Sequence, residues 1–286
     1  MVDARIVRTR GELRDTLRAL PPPGLVPTMG ALHEGHLALI ARSAAENPVT
    51  VVSVFVNPTQ FTNPDDFARY PQSLGRDAEE AVRAGASHVF APSVDDVYPP
   101  GFATTVEVGT LAERWEGASR PGHFRGVATI VAVLFGLVRP ERAYFGEKDY
   151  QQLQVIRRMH ADLALPGAVV GCPTIREPDG LARSSRNARL SAEARETAVA
   201  IPRALMAMRE QVAAGRRAVE AIESVGRAVL QTPGIDLDYL AVVDQGTLEP
   251  LSRIEPGARA IVAATVGGVR LIDNLDVTDG GATWAS

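Results

Sequence analysis

The sequence predicts an α/β protein with two domains, and two observations support this. Between Gly24 and Cys172, short β-branched runs alternate with helical segments, which is the pattern of a doubly wound, Rossmann-like parallel sheet. Near Ile175 the alternation ends, and two long helical segments rich in Ala, Arg and Glu precede strands with hairpin spacing. We therefore expect a Rossmann-like domain over residues 1–175 and a smaller α+β domain over residues 176–286.

The helices and strands of the first domain are predicted from the residues that begin and end them. Thr9-Arg-Gly-Glu12 is a capping box that opens a helix to about Leu20, and the prolines that follow end it. Later helices begin near His33, Ser73, Phe124 and Asp149. The predicted strands are residues 24–27, 49–56, 88–92, 143–146 and 168–172.

In the second domain, the predicted helices are residues 192–213 and 218–231. The predicted strands are residues 237–243, 258–265 and 269–272, and Gly267-Gly268 has the length and composition of a hairpin turn.

Composition excludes several function classes. The 286 residues carry a formal net charge of -4 and no block of lysine or arginine, which argues against a nucleic-acid binder. The most apolar helical stretch, Val127–Val138, is about half the length needed to cross a bilayer. A single cysteine, Cys172, permits no internal disulfide, and the polar N-terminal residues do not resemble a signal peptide. We expect a cytoplasmic protein without membrane or nucleic-acid partners.

The most informative segment runs from Val26 to His36. An apolar run stops at a turn where Gly30 and Gly35 let the backbone approach a ligand, and helical character follows. His33 and His36 are then neighbours on the first helical turn, where unpaired backbone N–H groups and the helix dipole favour an anion. This arrangement predicts a phosphate site, with surface histidines at a capped helix start as the alternative interpretation.

A metal site is not predicted here. His33-Glu-Gly-His36 has two residues between its histidines, whereas the zinc-protease motif needs three. The remaining histidines, His88, His123 and His160, are scattered, so no histidine–cysteine cluster indicates zinc.

Other polar residues follow predicted strands, where open parallel sheets bind ligands. Asn57 and Gln60 follow one strand, and the segment from Phe145 to Gln152 follows another. Lys148 is placed to neutralise a phosphate, while Asp149 is equally well explained as a helix cap. Just past the domain boundary, Arg183-Ser-Ser-Arg-Asn187 offers hydroxyls and a fixed cation to a polyphosphate, although a solvated loop is the simpler explanation of that segment alone.

Taken together, these motifs identify a resemblance that covers almost the whole chain. The sequence resembles the pantothenate synthetase (pantoate–beta-alanine ligase) family, of the nucleotidylyl-transferase superfamily. The motifs that carry the resemblance are Pro27-Thr-Met-Gly-Ala-Leu-His-Glu-Gly-His36, Val54-Phe-Val-Asn-Pro-Thr-Gln-Phe61, Tyr144-Phe-Gly-Glu-Lys-Asp-Tyr-Gln-Gln-Leu153, Pro173-Thr-Ile-Arg-Glu-Pro-Asp-Gly-Leu-Ala182 and Ser184-Ser-Arg-Asn187.

The resemblance implies an ATP-dependent condensation of (R)-pantoate with beta-alanine, in a magnesium-requiring cytoplasmic homodimer. It implies catalytic roles for His36, His33, Lys148 and Arg186, with His36 as the residue usually assigned as general acid. It also implies that pantoate contacts Gln60 and Gln152, and that Gln60 lies near the beta-alanine site; Asn57 is the third residue expected to bind substrate. The positions expected to bind ATP are Met29, Gly30, His33, Gly35, His36, Gly146, Glu147, Lys148, Asp149, Ile175, Arg183, Ser184, Ser185 and Arg186.

The chain departs from the family pattern at two positions. Arg183 stands where leucine or methionine is usual, and Gln72 stands where arginine is common. Arg183 either adds a phosphate contact or points to solvent through a flexible hinge.

Three other functions remain open at this point. A nucleotidylyltransferase acting on a phosphate acceptor shares the histidine motif, but its acceptor site should be more basic than Asn57, Gln60 and Gln152. An RNA-binding synthetase relative needs a basic or aromatic surface, and this chain is acidic with 5% aromatic residues. A nucleotide-binding regulator without catalysis is the third.

Overall fold

The computed structural model describes residues 5–61 and 67–278. These described residues fold as two compact units, the first within residues 1–147 and 151–173, and the second within residues 148–150 and 174–286. The three residues Lys148–Tyr150 therefore belong to the second unit, although the chain on both sides of them belongs to the first.

The first unit is built on a parallel sheet, which confirms the predicted Rossmann-like class. Its six strands have the order β1-β4-β3-β2-β5-β6, and neighbouring strands pair in parallel. The short edge strand β1 was not predicted. The strands are β1 Arg5–Val7, β2 Gly24–Thr28, β3 Thr50–Val54, β4 His88–Phe90, β5 Arg142–Gly146 and β6 Ala168–Cys172.

Helices connect these strands. The predicted capping box at Thr9 is present, and the helix it opens ends at Leu17 rather than near Leu20. Short 3₁₀ turns occupy Pro58–Gln60, Thr110–Ala112 and Glu147–Asp149. The α-helices are α1 Arg10–Leu17, α2 Glu34–Glu46, α3 Leu74–Arg83, α4 Val94–Val97, α5 Glu116–Ser119, α6 His123–Val138 and α7 Tyr150–Asp162.

The strand order places β2 between β3 and β5, so the connections after these strands run to opposite sides of β2. From β2 the chain leads to β3 and β4 on one side, whereas β5 and β6 lie on the other side. Ligands of open α/β sheets bind beyond the carboxyl ends of the strands at such a switch point. Helix α2 is fixed there because its buried Leu39 and Ile40 pack with Val26 and Val52 of the sheet.

The second unit is a helical layer on a small antiparallel sheet. Its strands are β7 Ile235–Asp244, β8 Ala258–Val266 and β9 Val269–Asp276, in the order β7-β8-β9. Gly267 and Gly268 both have positive φ, +55° and +76°, as the predicted two-residue turn requires. The helices are α8 Ala192–Ala198, α9 Ala200–Ala213 and α10 Val219–Leu230.

The expectation of one helix over residues 192–213 was wrong, because α8 and α9 are separate helices that meet at Val199. Pro202 explains the interruption, since proline has no backbone N–H to donate to the residue four positions earlier. In the described part of the chain, no helix is long and apolar enough to cross a membrane.

Candidate active site

The turn between β2 and α2 presents the two histidines side by side. His33 is the N-cap of α2, and its Nδ1 accepts a hydrogen bond from the Gly35 N–H at 3.1 Å. An accepting Nδ1 places the hydrogen of a neutral ring on Nε2, which makes Nε2 the donor. The ring centroids of His33 and His36 are 4.1 Å apart, as expected for neighbours on one helical turn. Two imidazoles thus stand at the positive end of the helix dipole.

Asp77 shapes this turn, although it is not among the predicted site residues. Its carboxylate is 3% exposed and accepts hydrogen bonds from the backbone N–H groups of Ala31 at 3.1 Å and Leu32 at 2.8 Å. Gly30 has a φ of +82°, and a Cβ there would come within 2.9 Å of the Asp77 carboxylate. Asp77 therefore holds the turn that leads into His33. Its place in the first turn of α3 is an ordinary one for an aspartate, so the residues around it do not mark it as part of a site, although the family resemblance includes an acidic position that Asp77 could match.

Asn57 and Gln60 lie together in the 3₁₀ turn after β3. Asn57 is completely buried, and its Oδ1 accepts from the hydroxyls of Tyr98 and Thr59, both at 2.9 Å. Its Nδ2 donates to Gln60 Oε1 at 3.0 Å and to the Gly126 carbonyl at 3.1 Å. The polar atoms of Asn57 are thus used inside the protein, and one of them orients the side chain of Gln60.

The main chain of Gln60 is held from α6. His123 is 6% exposed, and its Nδ1 lies 2.8 Å from the Gln60 carbonyl oxygen, while its Nε2 lies 3.1 Å from Arg120 Nη1. Because arginine can only donate, Nε2 must accept, so Nδ1 carries the hydrogen and donates to Gln60. Gly126 lets α6 pack directly on the Thr59 and Gln60 backbone, where a Cβ would not fit. In the sequence, His123 looked like an isolated histidine.

Adjacent glutamines on α7 have different environments. Gln151 is buried and its amide bonds to three backbone groups, those of Leu111, Arg114 and Glu116, so it anchors that segment. Gln152, the predicted pantoate contact, is half-buried. Met29, Gly146 and Glu147 are half-buried at the carboxyl ends of β2 and β5, on the predicted side of the sheet.

Within the second unit, Lys148 lines a small pocket together with Ser184 and Arg186. The side chain of Lys148 is 18% exposed, and its Nζ lies 3.4 Å from the Asp149 carboxylate. Ser184 Oγ accepts from the Arg186 N–H at 3.2 Å, which shapes the turn between them. Three cationic side chains, those of Lys148, Arg186 and Arg270, and one carboxylate, that of Asp273, line this concave surface, so its net charge is positive, as a polyphosphate requires. The structure therefore brings the predicted residues Lys148, Ser184 and Arg186 together.

An ion-pair network braces the segment that carries Ser184. Glu177 accepts from Asn187 Nδ2 and from Arg195 Nη2, both at 3.0 Å. Burial raises the pKa of Glu177, but these hydrogen bonds outweigh it and hold the pKa below the ordinary value. The hydrogen bond from Arg195 likewise lowers the pKa of Asp179.

The other predicted residues of this region are outside the pocket lining. Ile175, Ser185 and Asp149 are exposed, and Asp149 directly precedes α7, as expected for a cap position. Arg183 is half-buried, and its positive charge helps to lower the pKa of Glu177. This electrostatic contact gives Arg183 a function within its own loop.

These features define a class: an α/β protein with a Rossmann-like sheet, a histidine pair at the N-terminus of α2 in its first unit, and a pocket lined by lysine and arginine side chains in its second unit. Residues 5–276 match the model of the pantoate-beta-alanine ligase family. The chain belongs to this family.

Relatives and solved structures agree with that match. Pantothenate synthetase of Thermus thermophilus is 55% identical over 276 residues, which are 96% of this chain and 99% of that protein. The enzyme of Roseiflexus sp. is 50% identical over 272 residues, 94% and 98% of the respective chains. The Thermus crystal structure superposes with a TM-score of 0.90 and covers 96% of this chain and 99% of that one. The Francisella tularensis ligase, solved with beta-gamma ATP and beta-alanine, has 34% identity and a TM-score of 0.79, covering 97% and 99%.

Proposed function

We propose that this protein joins (R)-pantoate to beta-alanine with ATP, through a pantoyl-adenylate intermediate, and releases AMP and pyrophosphate. The observation that carries this function is the family match over residues 5–276, which includes the histidine turn of the first unit and the cationic pocket of the second. The Francisella structure supports ATP and beta-alanine as substrates, because that relative was solved with beta-gamma ATP and beta-alanine.

In the first step, a pantoate carboxylate oxygen attacks the α-phosphorus of ATP and pyrophosphate leaves. Negative charge grows on the phosphate oxygens, so fixed donors there lower the barrier. His33 and His36, at the N-terminus of α2, supply such donors in the first unit. We assign His36 as the group that donates a hydrogen bond or a proton to the phosphates.

The leaving phosphates require cations, which the second unit provides. We assign Lys148, Ser184, Ser185 and Arg186 to the β- and γ-phosphates. The pocket lining of Lys148, Ser184 and Arg186 supports this assignment, since positioning and charge stabilisation are the main protein contributions to transfer at phosphorus. The remaining predicted ATP contacts all stay as predictions: Met29 and Gly30 follow β2, Gly35 lies in the first turn of α2, Gly146 and Glu147 lie at the end of β5, and the others are Asp149, Ile175 and Arg183.

Magnesium would enter with the phosphates of ATP. Among the described residues, no group of three or more His, Cys, Asp or Glu side chains is placed to hold a metal ion. Mg²⁺ usually keeps several waters and binds substrate phosphates, so a pocket lined by Lys148, Ser184 and Arg186, which suits phosphates, fits an ion that arrives with the nucleotide. When bound, the ion neutralises phosphate charge, and the residues that hold those phosphates are Lys148, Ser184 and Arg186.

We assign pantoate to Gln60 and Gln152. An amide can bond the pantoate hydroxyls and carboxylate without the full charge of arginine, which would hold the nucleophilic oxygen more strongly. The rigid support of Gln60 by Asn57 and His123 agrees with this role. Asn57 then acts through Gln60, because its own polar atoms are already bonded.

In the second step, the unprotonated amine of beta-alanine displaces AMP from the mixed anhydride. Water would hydrolyse that anhydride, so a closed site protects it, and we propose that the C-terminal domain, residues 176–286, serves as a lid. We further propose a homodimer located in the cytoplasm.

One assay distinguishes this function from its alternatives. Pyrophosphate release from ATP should require pantoate, and AMP should appear only when beta-alanine is also present. A nucleotidylyltransferase would instead release pyrophosphate with a phosphorylated acceptor, and a regulator without catalysis would release none.

A further inference from the structure

We propose that Asn274 is a positioning residue for Lys148. Asn274 lies on β9 with 4% of its surface exposed, and its Nδ2 donates to the Lys148 carbonyl oxygen at 2.9 Å. The two residues are 126 positions apart in the chain, and both belong to the second unit. A buried amide that bonds the main chain of Lys148 fixes the point from which the lysine side chain reaches the pocket.

Arg259 orients the amide of Asn274. Its Nη1 donates to Asn274 Oδ1 at 2.5 Å, so the oxygen side of the amide faces Arg259 and the nitrogen side faces Lys148. Arg259 is 8% exposed, and its guanidinium carbon lies 3.8 Å from the centroid of the Tyr150 ring. This stacking holds the residue two positions after Lys148 as well.

The neighbouring residue of β9 holds the other side of the pocket. Asp273 is 4% exposed and accepts two hydrogen bonds from Arg176, at 2.7 and 2.9 Å. Arg176 also donates to the Gly180 carbonyl at 3.0 Å, within the segment that leads to Ser184. Two consecutive residues of one strand thus anchor Lys148 and the serine-bearing segment.

This arrangement sets the spacing of the anion-binding groups before a ligand arrives. Electrostatic stabilisation is most effective when the donors need no rearrangement during the reaction. If Lys148 loses its anchor, its ammonium samples other positions, so phosphate binding should weaken while pantoate binding stays the same. The inference rests on the proposed role of Lys148 with ATP.

The test is Asn274→Asp, which keeps the size of the side chain and the acceptor for Arg259 but replaces the donor with an oxygen. We expect the apparent KM for ATP to rise about tenfold, the scale of one lost neutral hydrogen bond, in pantoate-dependent pyrophosphate release. The KM for pantoate should stay within about twofold of the wild-type value, because Asn274 is proposed to act only on the binding of ATP.

A matched control is Asn47→Asp in the first unit. Asn47 is also buried, and its Nδ2 donates to the Ser43 carbonyl and the Tyr144 hydroxyl. We expect this variant to keep the wild-type KM for ATP, even where thermal unfolding shows lower stability. An equal rise of the KM in both variants would contradict the inference, because general loosening would then explain the effect.

A double-mutant cycle with Lys148→Ala tests whether Asn274 acts through Lys148. If it does, adding Asn274→Asp to Lys148→Ala causes no further loss, whereas full additivity would overturn the proposal.

Should Asn274→Asp not fold, Asn274→Ala enters the same cycle with the same criteria. Unchanged ATP kinetics in Lys148→Ala would overturn the proposed function of Lys148 and this inference with it. If Lys148→Ala impairs the ATP kinetics but Asn274→Asp leaves them at the wild-type values, the inference is overturned and the proposed function of Lys148 stands.

Discussion

Asp77 Oδ1 accepts a hydrogen bond from the backbone N–H of Leu32 at 2.8 Å, and this bond connects α3 to the turn that carries the histidines. The other carboxylate oxygen accepts from the backbone N–H of Ala31, the residue before Leu32, at 3.1 Å. The carboxylate is buried and bonded on both oxygens, so it cannot be replaced by an amide without placing an N–H against an N–H.

We therefore expect Asp77→Asn to impair adenylation. A charge-assisted hydrogen bond contributes about 1.5–3 kcal/mol, so the free energy of unfolding should fall by roughly that amount, and kcat for pyrophosphate release should fall as the turn loosens. Chemical denaturation and pyrophosphate assays measure the two effects. Asp15→Asn is the control, since Asp15 is 72% exposed beside Arg18. Wild-type kinetics in Asp77→Asn would show that the turn keeps its shape without the carboxylate.

His33→Ala and His36→Ala should affect different kinetic parameters. Loss of the His33 cap should cost about 0.5–2 kcal/mol of stability, by analogy with other N-caps, and mainly raise the KM for ATP. Loss of a proton-donating His36 should lower kcat by about 10²–10⁴-fold and remove the corresponding limb of the pH–rate profile. His160→Ala serves as the control, because His160 contacts Phe135 and the Pro166 carbonyl instead. A normal kcat and pH profile in His36→Ala would assign the proton transfer elsewhere.

The support of Gln60 by His123 is tested with two substitutions. His123→Phe removes the donor to the Gln60 carbonyl, and we expect the KM for pantoate to rise about tenfold, as for one lost hydrogen bond. His123→Asn offers an amide N–H close to the position of Nδ1–H and should recover part of the loss. The KM for ATP serves as the internal reference. Equal effects of the two substitutions would mean that ring packing, not the hydrogen bond, matters.

Arg183→Leu should change the KM for ATP by less than about twofold, because its charge acts on Glu177 and it does not line the pocket. The measurement belongs at low salt, where a phosphate contact would be strongest. A clear loss of ATP affinity that disappears on adding salt would establish Arg183 as a phosphate ligand.

Acid stability should depend on Arg195. The folded protein holds the pKa values of Glu177 and Asp179 below their ordinary values, so the stability they contribute is present above those ordinary values and is lost as the pH falls through the folded ones. The difference in unfolding free energy between wild type and Arg195→Met should be largest near neutral pH and shrink below about pH 4.5, the ordinary value for glutamate. Urea unfolding at several pH values measures it. Arg158→Met, which breaks an exposed pair with Asp162, should show little difference at any pH.

The parallel sheet was predictable because most of its strands, such as β2 and β3, are short apolar runs whose pattern is local. The capping box at Thr9 and the Gly267-Gly268 turn were predictable for the same reason, since each depends on residues within a few positions. The division of residues 192–213 into two helices was missed, although Pro202 was a visible signal for it.

The supporting residues of the candidate site could not be predicted. Asp77 acts on Leu32 across 45 positions, His123 on Gln60 across 63, and Asn274 on Lys148 across 126. Each has an ordinary local interpretation as a helix-start acid, an isolated histidine or a polar strand residue. Only the fold shows which distant backbone group each one bonds.

The placement of Lys148–Tyr150 with the second unit has a consequence for how this enzyme can be divided or recombined. A fragment that ends at Pro173 would contain Lys148 but not β9, and the remaining fragment would contain Asn274 and Arg259 without the lysine they hold. Exchanging C-terminal halves between related enzymes would therefore also exchange the anchor of Lys148. We expect such chimeras to work only where the incoming strand supplies an amide at the position of Asn274.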